Sequence, residues 1–489
     1  MSHERALYEF AAGVQAADLP PGTVESVAAT VLDHLGCAVQ GSSLPWIRGV
    51  LSALDAAGAM RVGSPGRGAH AVGWGHLLEP VDAALVNGTS AHGFDFDDTH
   101  LATMTHPGSV VIPAVLAAAE MGGSDGRDVV ASIAVGYEVM ARICRMIGLG
   151  FGERGFHATG QIGPMGAAAA VARLFGLGPD GVAGSVGLAA SFGGGLKSFT
   201  DGHGTVKRLH AGRAAQSGLL AASLQRSGVS GPRHAVTGRF GVAASYSTDD
   251  DPDPRALSEG LGQDFAIDEV YLKQFAACGA VHGAMAAAGG LADIDSDQID
   301  HILVGTSVRA VRQNSIPEPM DVMAAQYSTE YAVAVALFGR SGDAEPFLDA
   351  GSPSGRPFQD IAARVQLTAD ESAEAAYPDV NQARVEVHLT DGTVRSAEGS
   401  VTAATSRGWA VAERKFLAIT DGLLDRVSAA EVVGAVNGLS SGGAARDCLS
   451  PLRLLAVTDS QSNNPSQGDQ LQEHPIPANR HAQRGTEER

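Results

Sequence analysis

The sequence predicts a mainly α-helical protein carrying an α+β second domain. Three observations lead there. In the first half, apolar residues recur at helical spacing, and glycine and proline punctuate the stretches between them. After about Asp264 the texture changes, and strands with period-two alternation enter. Beyond those strands the helical pattern returns. At 489 residues the chain is also too long for one ordinary core, so two domains are expected.

The elements follow in order. Val24, Val27, Val31 and Leu35 stand three and four residues apart and so share one helix face. Further helices are expected at Pro80–Ser90, Ser109–Met121, Asp128–Gly148, Met165–Phe175, Val182–Ser191 and Ala211–Arg226. Gly193–Gly195 and Gly202–Gly204 read as loops between them. Tyr271–Phe275 leads into an Ala-rich helix ending near Ala288, and His301–Val308 reads as a strand. Tyr327–Phe338 is expected to be helical. Val385, Val387 and Leu389 alternate as a half-buried strand, and Asp391-Gly392 turns it into a partner at Val394–Ser400. Helix resumes from about Val411 to Gly438. The expected division is residues 1–265 and 402–455 for the helical domain and 266–401 for the α+β domain. Residues 456–489, rich in Ser, Asn, Gln, Pro and Glu, read as a disordered tail.

Composition narrows the function. A formal net charge of −20 argues against nucleic acid, whose phosphates need a basic surface. It leaves room for an anionic ligand wherever basic groups cluster locally. The longest apolar stretch, around Val110–Ala119, is short and contains Pro113, so no membrane span is expected. Cys37, Cys144, Cys278 and Cys448 are far apart with no CxxC pair, and the N-terminus carries charge early, which points to the cytoplasm.

Against this apolar, Gly/Ala-rich background three polar motifs stand out. Asp95-Phe96-Asp97-Asp98-Thr99 runs on to Thr105-His106-Pro107. Carboxylates and imidazoles of this kind bind metals, but with no HExxH elsewhere no metal is expected. Asp95 and Thr99 instead share a face at i, i+4 if the segment is helical, as groups that bind a polar ligand would. The plain alternative is a capped or solvated acidic turn. His157 lies in Gly155-Phe156-His157-Ala158-Thr159-Gly160, between glycines that permit close backbone approach. Lys207, Arg208, His210 and Arg213 gather positive charge at a helix start, a good carboxylate receptor. Lys273 and His282 bracket Cys278, which reads either as a small buried residue or as a thiol near a cation. Two GxGxxG strings, Gly150–Gly155 and Gly176–Gly181, follow helices rather than strands and are chance matches, as is GxSxG at Gly438–Gly442.

Four ordered blocks carry a resemblance: NGTSAHGFDFDDTH with THPGS, GFHATGQIGPMGAAAAVARLFGL, KRLHAGRAAQSG, and YLKQF followed by CGAVHG. Together they resemble the MmgE/PrpD family, which includes 2-methylcitrate dehydratases, cis-aconitate decarboxylases and iminodisuccinate epimerases. The resemblance implies a large all-helical domain with a smaller α+β lid, no cofactor, and a homodimer. It also implies a lyase that removes an α-proton from a small di- or tricarboxylate, first as a methylcitrate-type dehydratase, otherwise as a decarboxylase or epimerase. A non-catalytic binding protein of the same fold is the alternative from another class. By resemblance to the decarboxylase pocket, the matching positions are Asp95, Thr99, His106, His157, Lys207, Lys273 and Tyr331. Of these His157, Lys207, Tyr331 and His106 are expected to be catalytic, with His157 as acid/base and Tyr331 as alternative proton donor. Asp95, Thr99, Lys273, Arg208 and Cys278 are expected to hold substrate. Cys278 stands where the decarboxylases carry a histidine, Ala276 where a proline is usual, and the Thr99–His106 spacing is one residue longer.

Overall fold

Helices make up most of the first half of the chain. The computed structural model describes residues 2–58, 68–201, 204–248, 252–377 and 379–453. The expected tail at 456–489, His203 and most of Asp249–Asp253 lie outside these residues. Long helices run over Pro21–Ser42, Pro80–Ala91, Gly108–Gly122, Gly126–Ile147, Ala158–Leu174, Gly178–Ala190 and Val206–Arg226. The Gly126–Ile147 helix is capped by Asp125, whose side chain accepts from the Arg127 amide, and stops at Gly148. Most residues of these long helices are buried, as expected for helices in the interior of a large protein.

Small residues set how closely they meet. The Val206–Arg226 helix lies against both Ala158–Leu174 and Pro80–Ala91. Gly88 faces Gly212 so closely that a Cβ on Gly88 would stand 2.8 Å from the Gly212 Cα. An alanine at either position would force the two backbones apart. This close approach carries Lys207 and Arg208, near the start of one helix, toward the acidic loop that follows the other.

The α+β part is built on a four-stranded sheet, with strands in the order Val365–Ala369, Ile299–Thr306, Asn381–Leu389, Val394–Val401. Its last three strands are antiparallel, and Val365–Ala369 pairs parallel with Ile299–Thr306. Gly392, at φ +86°, makes the tight turn between the last two strands. The His282–Gly289 helix covers the sheet and packs on Thr329–Leu337. Helix then returns at Trp409–Thr420, which packs on Pro21–Ser42 in the helical part. The protein is thus mainly helical with a smaller α+β part.

Boundaries differ from the sequence reading in instructive ways. The Ala158 helix begins seven residues before the expected Met165, because Pro164 is accommodated inside it. The Val206 helix starts five residues early, so Lys207, Arg208 and His210 lie within it rather than ahead of it. The expected Tyr327–Phe338 helix is two helices, Val322–Tyr327 and Thr329–Leu337, parted at Ser328, whose side chain caps the second. Asp421-Gly422 and the Asp425 cap likewise divide the final stretch into Trp409–Thr420 and Arg426–Gly438. No strand is expected from sequence at Val365–Ala369, where the parallel strand lies; the segment is five residues long and only Val365 in it is buried.

Candidate active site

The acidic loop is held in place by a short antiparallel ladder. Thr99 pairs with Tyr271 and His100 with Val270. This pairing brings Lys273, 178 residues later in sequence, back onto Asp95. Lys273 Nζ donates to Asp95 Oδ1 at 2.8 Å and to the Asp95 carbonyl at 2.8 Å. Lys207, in the first turn of its helix, reaches the same Oδ1 at 2.7 Å. Asp95 itself adopts φ +54°, a left-handed conformation that aspartate tolerates better than most residues. One carboxylate oxygen therefore orients two ammonium groups, while Asp95 Oδ2 is buried without a hydrogen-bond partner among the described residues.

Histidines surround this pair. His106 Nε2 lies 3.9 Å from Asp95 Oδ1, and its Nδ1 is 3.0 Å from the Asp98 carbonyl and 3.4 Å from Thr99 Oγ1. His157 caps the Ala158–Leu174 helix, and its amide donates to the Gly195 carbonyl. Its Nδ1 is 2.9 Å from His210 Nδ1, so one of the two rings carries the proton they share. Phe199 meets the His157 ring edge-on. Behind these lies His92, fully buried, its ring centroid 4.6 Å from that of His106 and 6.2 Å from that of His157. Asp97 takes His92 Nδ1 at 2.9 Å and the Ser109 hydroxyl at 2.5 Å.

A deeper layer comes from elements with no motif of their own. Lys415, on the returning Trp409–Thr420 helix, donates to the Phe96 carbonyl at 2.6 Å and pairs with Asp33 at 2.6 Å. Asp98 accepts from the Tyr137 hydroxyl at 2.8 Å and the Gly108 amide at 2.9 Å. The loop at 95–98 is thus gripped from behind by three helices.

Electrostatics follow from that geometry. Burial alone would push the Asp95 carboxyl up, but Lys207 and Lys273 together hold it well below the ordinary range. Burial lowers His106 to about 3, with Asp97 opposing, and lowers His157 well below its ordinary value, helped by His210 and Lys207. His210 falls to about 4, chiefly by burial. Asp98 moves the other way, to about 8, through burial and its neighbours Asp97 and Asp33. At neutral pH the site therefore presents an ionised Asp95 between the two lysines, with the His106, His157 and His210 imidazoles neutral.

These groups end a cleft of about 690 Å³, lined by Asp95, Thr99, His106, His157, Lys207 and Lys273, with Cys278 and Tyr327 beside them. The Lys207 ammonium stands 5.0 Å from the Tyr327 ring centroid. Two of the residues singled out from sequence face elsewhere. The Tyr331 hydroxyl donates to the Pro346 carbonyl at 2.7 Å, deep between Phe347 and Phe358, and the residue is fully buried outside the cleft. One helical turn separates it from Tyr327, which does face the cleft. Arg208 turns to the Gly93 carbonyl, the Gln326 side chain and the face of Trp46, so it braces the loop instead of lining the cleft. Asp97 stands out in the sequence only as a possible metal ligand, and neither His92 nor Lys415 is given a role there. A polar residue in the GTSAH helix end was the one local hint for His92, and nothing local marked Lys415.

His92, Asp95, Asp97 and His106 present ligand atoms within 4.8 Å of one another. Asp95 Oδ1 is already committed to two ammonium groups and Asp97 to His92 and Ser109. A divalent cation there would meet both lysines at close range, so the donor set suits an internal ion network better than a metal.

The MmgE/PrpD N-terminal domain matches residues 5–255 and the MmgE/PrpD C-terminal domain residues 275–437. The cis-aconitate decarboxylase of Aspergillus terreus is 28% identical over 411 residues, covering 78% of this chain and 82% of the relative. A cis-aconitate decarboxylase-like protein of Aspergillus oryzae is 29% identical over 283 residues, 55% of this chain and 57% of that protein. The human cis-aconitate decarboxylase is 28% identical over 288 residues, 54% of this chain and 57% of its own. With its helical body, its smaller sheet and both domains matched over most of its length, the chain belongs to the MmgE/PrpD family.

Proposed function

We propose that the protein is a lyase acting on a small di- or tricarboxylate. The observation that carries this is Asp95 Oδ1 shared by the Lys207 and Lys273 ammonium groups at the inner end of a cleft. Two cations on one carboxylate leave a local surplus of positive charge, which a substrate carboxylate neutralises. The helix start bearing Lys207 adds its own partial charge in the same sense. Sequence alone put dehydration first; relatives named as cis-aconitate decarboxylases move decarboxylation ahead of it.

Decarboxylation of cis-aconitate suits these residues. The carboxylate on the saturated arm leaves as CO2, and its C–C electron pair forms a new double bond to the central carbon. The old double bond shifts its electrons to the far CH carbon, where the adjacent carboxylate delocalises the charge. Lys207 and Lys273 hold that carboxylate and stabilise the developing aci form. The carbon then takes up one proton. His157 is the donor in this reading, passing the proton that it shares with His210. Its imidazole is neutral in the free protein, and the negative charge of a bound polyanion raises its proton affinity. Dehydration would instead form a carbanion of this kind by removal of an α-proton and then expel the β-hydroxyl, and epimerisation would remove the α-proton and return one to the opposite face. Tyr331 has no part in this reading, since its hydroxyl faces Pro346.

Incubation in D₂O with cis-aconitate, citrate, 2-methylcitrate and iminodisuccinate, followed by NMR, tests the reading. Loss of CO2 with one deuterium gained at carbon is expected for cis-aconitate. If the folded protein alters none of these acids and exchanges none of their C–H protons, the catalytic reading is wrong and a binding protein of this fold takes its place. The family resemblance also implies a cytoplasmic homodimer, and sedimentation equilibrium checks the dimer.

A further inference from the structure

The cleft does not end at the Asp95 pair. Its outer wall carries a second set of cations, Arg154, Lys197, Arg309 and Arg312. In the whole chain 54 acidic residues outnumber 34 basic ones. Along the cleft the ratio reverses: Arg154, Lys197, Lys207, Lys273, Arg309 and Arg312 face only Asp95 and Glu153 among its lining residues. Six cations against two carboxylates leave a surplus of four, of which the inner pair with Asp95 accounts for one and the outer set with Glu153 for three.

The outer cations come from two separate parts of the molecule. Lys197 opens the short turn Lys197–Asp201 in the helical part. Arg309 lies on the Val308–Gln313 helix, which directly follows a strand of the sheet. Burial lowers the proton affinity of the Lys197 ammonium, and the charge of Arg309 lowers it further, with Cys278 and Glu153 opposing. Two elements thus bring like charges to the lining of one cleft. That juxtaposition is unfavourable by itself and turns favourable when an anion lies between them. Arg309 is also held in place: its guanidinium sits 5.9 Å from the Tyr377 ring centroid, and the Tyr377 hydroxyl meets Met104 Sδ at 3.8 Å. Met104 belongs to the same loop as Thr99 and His106, so the outer pair is registered to the inner one.

We infer that Lys197 and Arg309 form a second anion subsite at the mouth of the cleft, which takes a distal carboxylate of a substrate whose proximal carboxylate rests on Lys207 and Lys273. The inference rests on the proposed function and deepens it: the substrate is read at two depths, which favours a tricarboxylate over a dicarboxylate. The flat guanidinium supplies a two-pronged contact and the lysine a point charge, a pairing suited to a carboxylate.

Calorimetric titration of the full-length protein with two unreactive probes, tricarballylate and succinate, tests this. Arg309→Met is expected to weaken tricarballylate binding about tenfold and succinate binding at most about twofold. Lys197→Met, on the opposite wall, is expected to give the same selective loss, and it stands as the test if Arg309→Met does not fold. Equal factors for the two probes, or no change in either variant, overturn the second subsite while leaving the proposed function intact. Failure of the unaltered protein to bind either probe overturns both.

Discussion

The inner end of the cleft and its mouth use the same kind of residue for opposite ends. At the inner end, Lys207 and Lys273 are spent on Asp95, which is in turn backed by His92, Asp97, Asp98 and Lys415. Each charged group there is buried and has a partner of opposite sign or a carbonyl. At the mouth, Lys197 and Arg309 line the cleft as like charges and are half-exposed. The difference teaches where rigidity is needed. Stabilising a developing charge requires donors fixed before the reaction, whereas recognising a distal group tolerates side chains that settle when the ligand arrives.

Substitutions can break this contrast, and the largest effect is expected at the proton donor. His157→Gln should lower the turnover of cis-aconitate about 10²–10⁴-fold with little change in its binding. Steady-state kinetics check this, and unchanged turnover removes His157 from the mechanism. Next comes the inner cation pair. Lys207→Met should cost about 10²–10³-fold in kcat, as loss of one stabilising donor does elsewhere, in contrast to the affinity loss expected at the mouth. A change confined to KM would erase the distinction between the two regions.

Asp95→Asn probes the ion network itself. It leaves two buried ammonium groups short of their carboxylate, and a loss of about 3–5 kcal/mol in unfolding free energy is expected by chemical denaturation. No comparable loss is expected for Arg309→Met.

A smaller effect concerns pH. The imidazoles of His34, His210, His106 and His282 have folded-state values near 4, 4, 3 and 3, each lowered chiefly by burial. Between about pH 6.5 and 4 the unfolded chain therefore holds more protons than the folded one, and stability falls as pH falls. Asp98 has the opposite sign. Its folded value near 8 exceeds the ordinary 3.8, so its contribution is complete below about pH 3.8 and is lost as pH rises through 8. Asp98→Asn mimics the protonated acid, accepting from Gly108 and facing Tyr137. In melting curves it should flatten the decline between pH 5 and 8 and leave the acid limb unchanged; an unaltered alkaline limb would show that Asp98 is ionised in the folded protein.

The smallest change is expected at Tyr331. Tyr331→Phe removes one hydrogen bond to Pro346 and should cost about 0.5–1.5 kcal/mol of stability with turnover within about twofold. A large loss of turnover would restore the tyrosine to the site.

The sequence by itself determined the class of the fold, because helical and strand periodicities are local properties that burial on one side enforces. It also determined which residue types gather, since Asp95, His106, His157, Lys207 and Lys273 all sit in motifs that depart from an apolar background. What it left open was direction. Tyr327 and Tyr331 are one helical turn apart with a break at Ser328 between them, and only the way the Thr329–Leu337 helix packs on Phe347 and Phe358 sends one to the cleft and the other to the core. The tertiary structure alone decided that Lys415 and Asp33, from opposite ends of the chain, support the Phe96 carbonyl. It alone decided as well that Arg309 and Lys197 line one cleft. Long-range contacts of this kind carry no periodicity, because they depend on where whole elements come to rest and not on the spacing of residues within one.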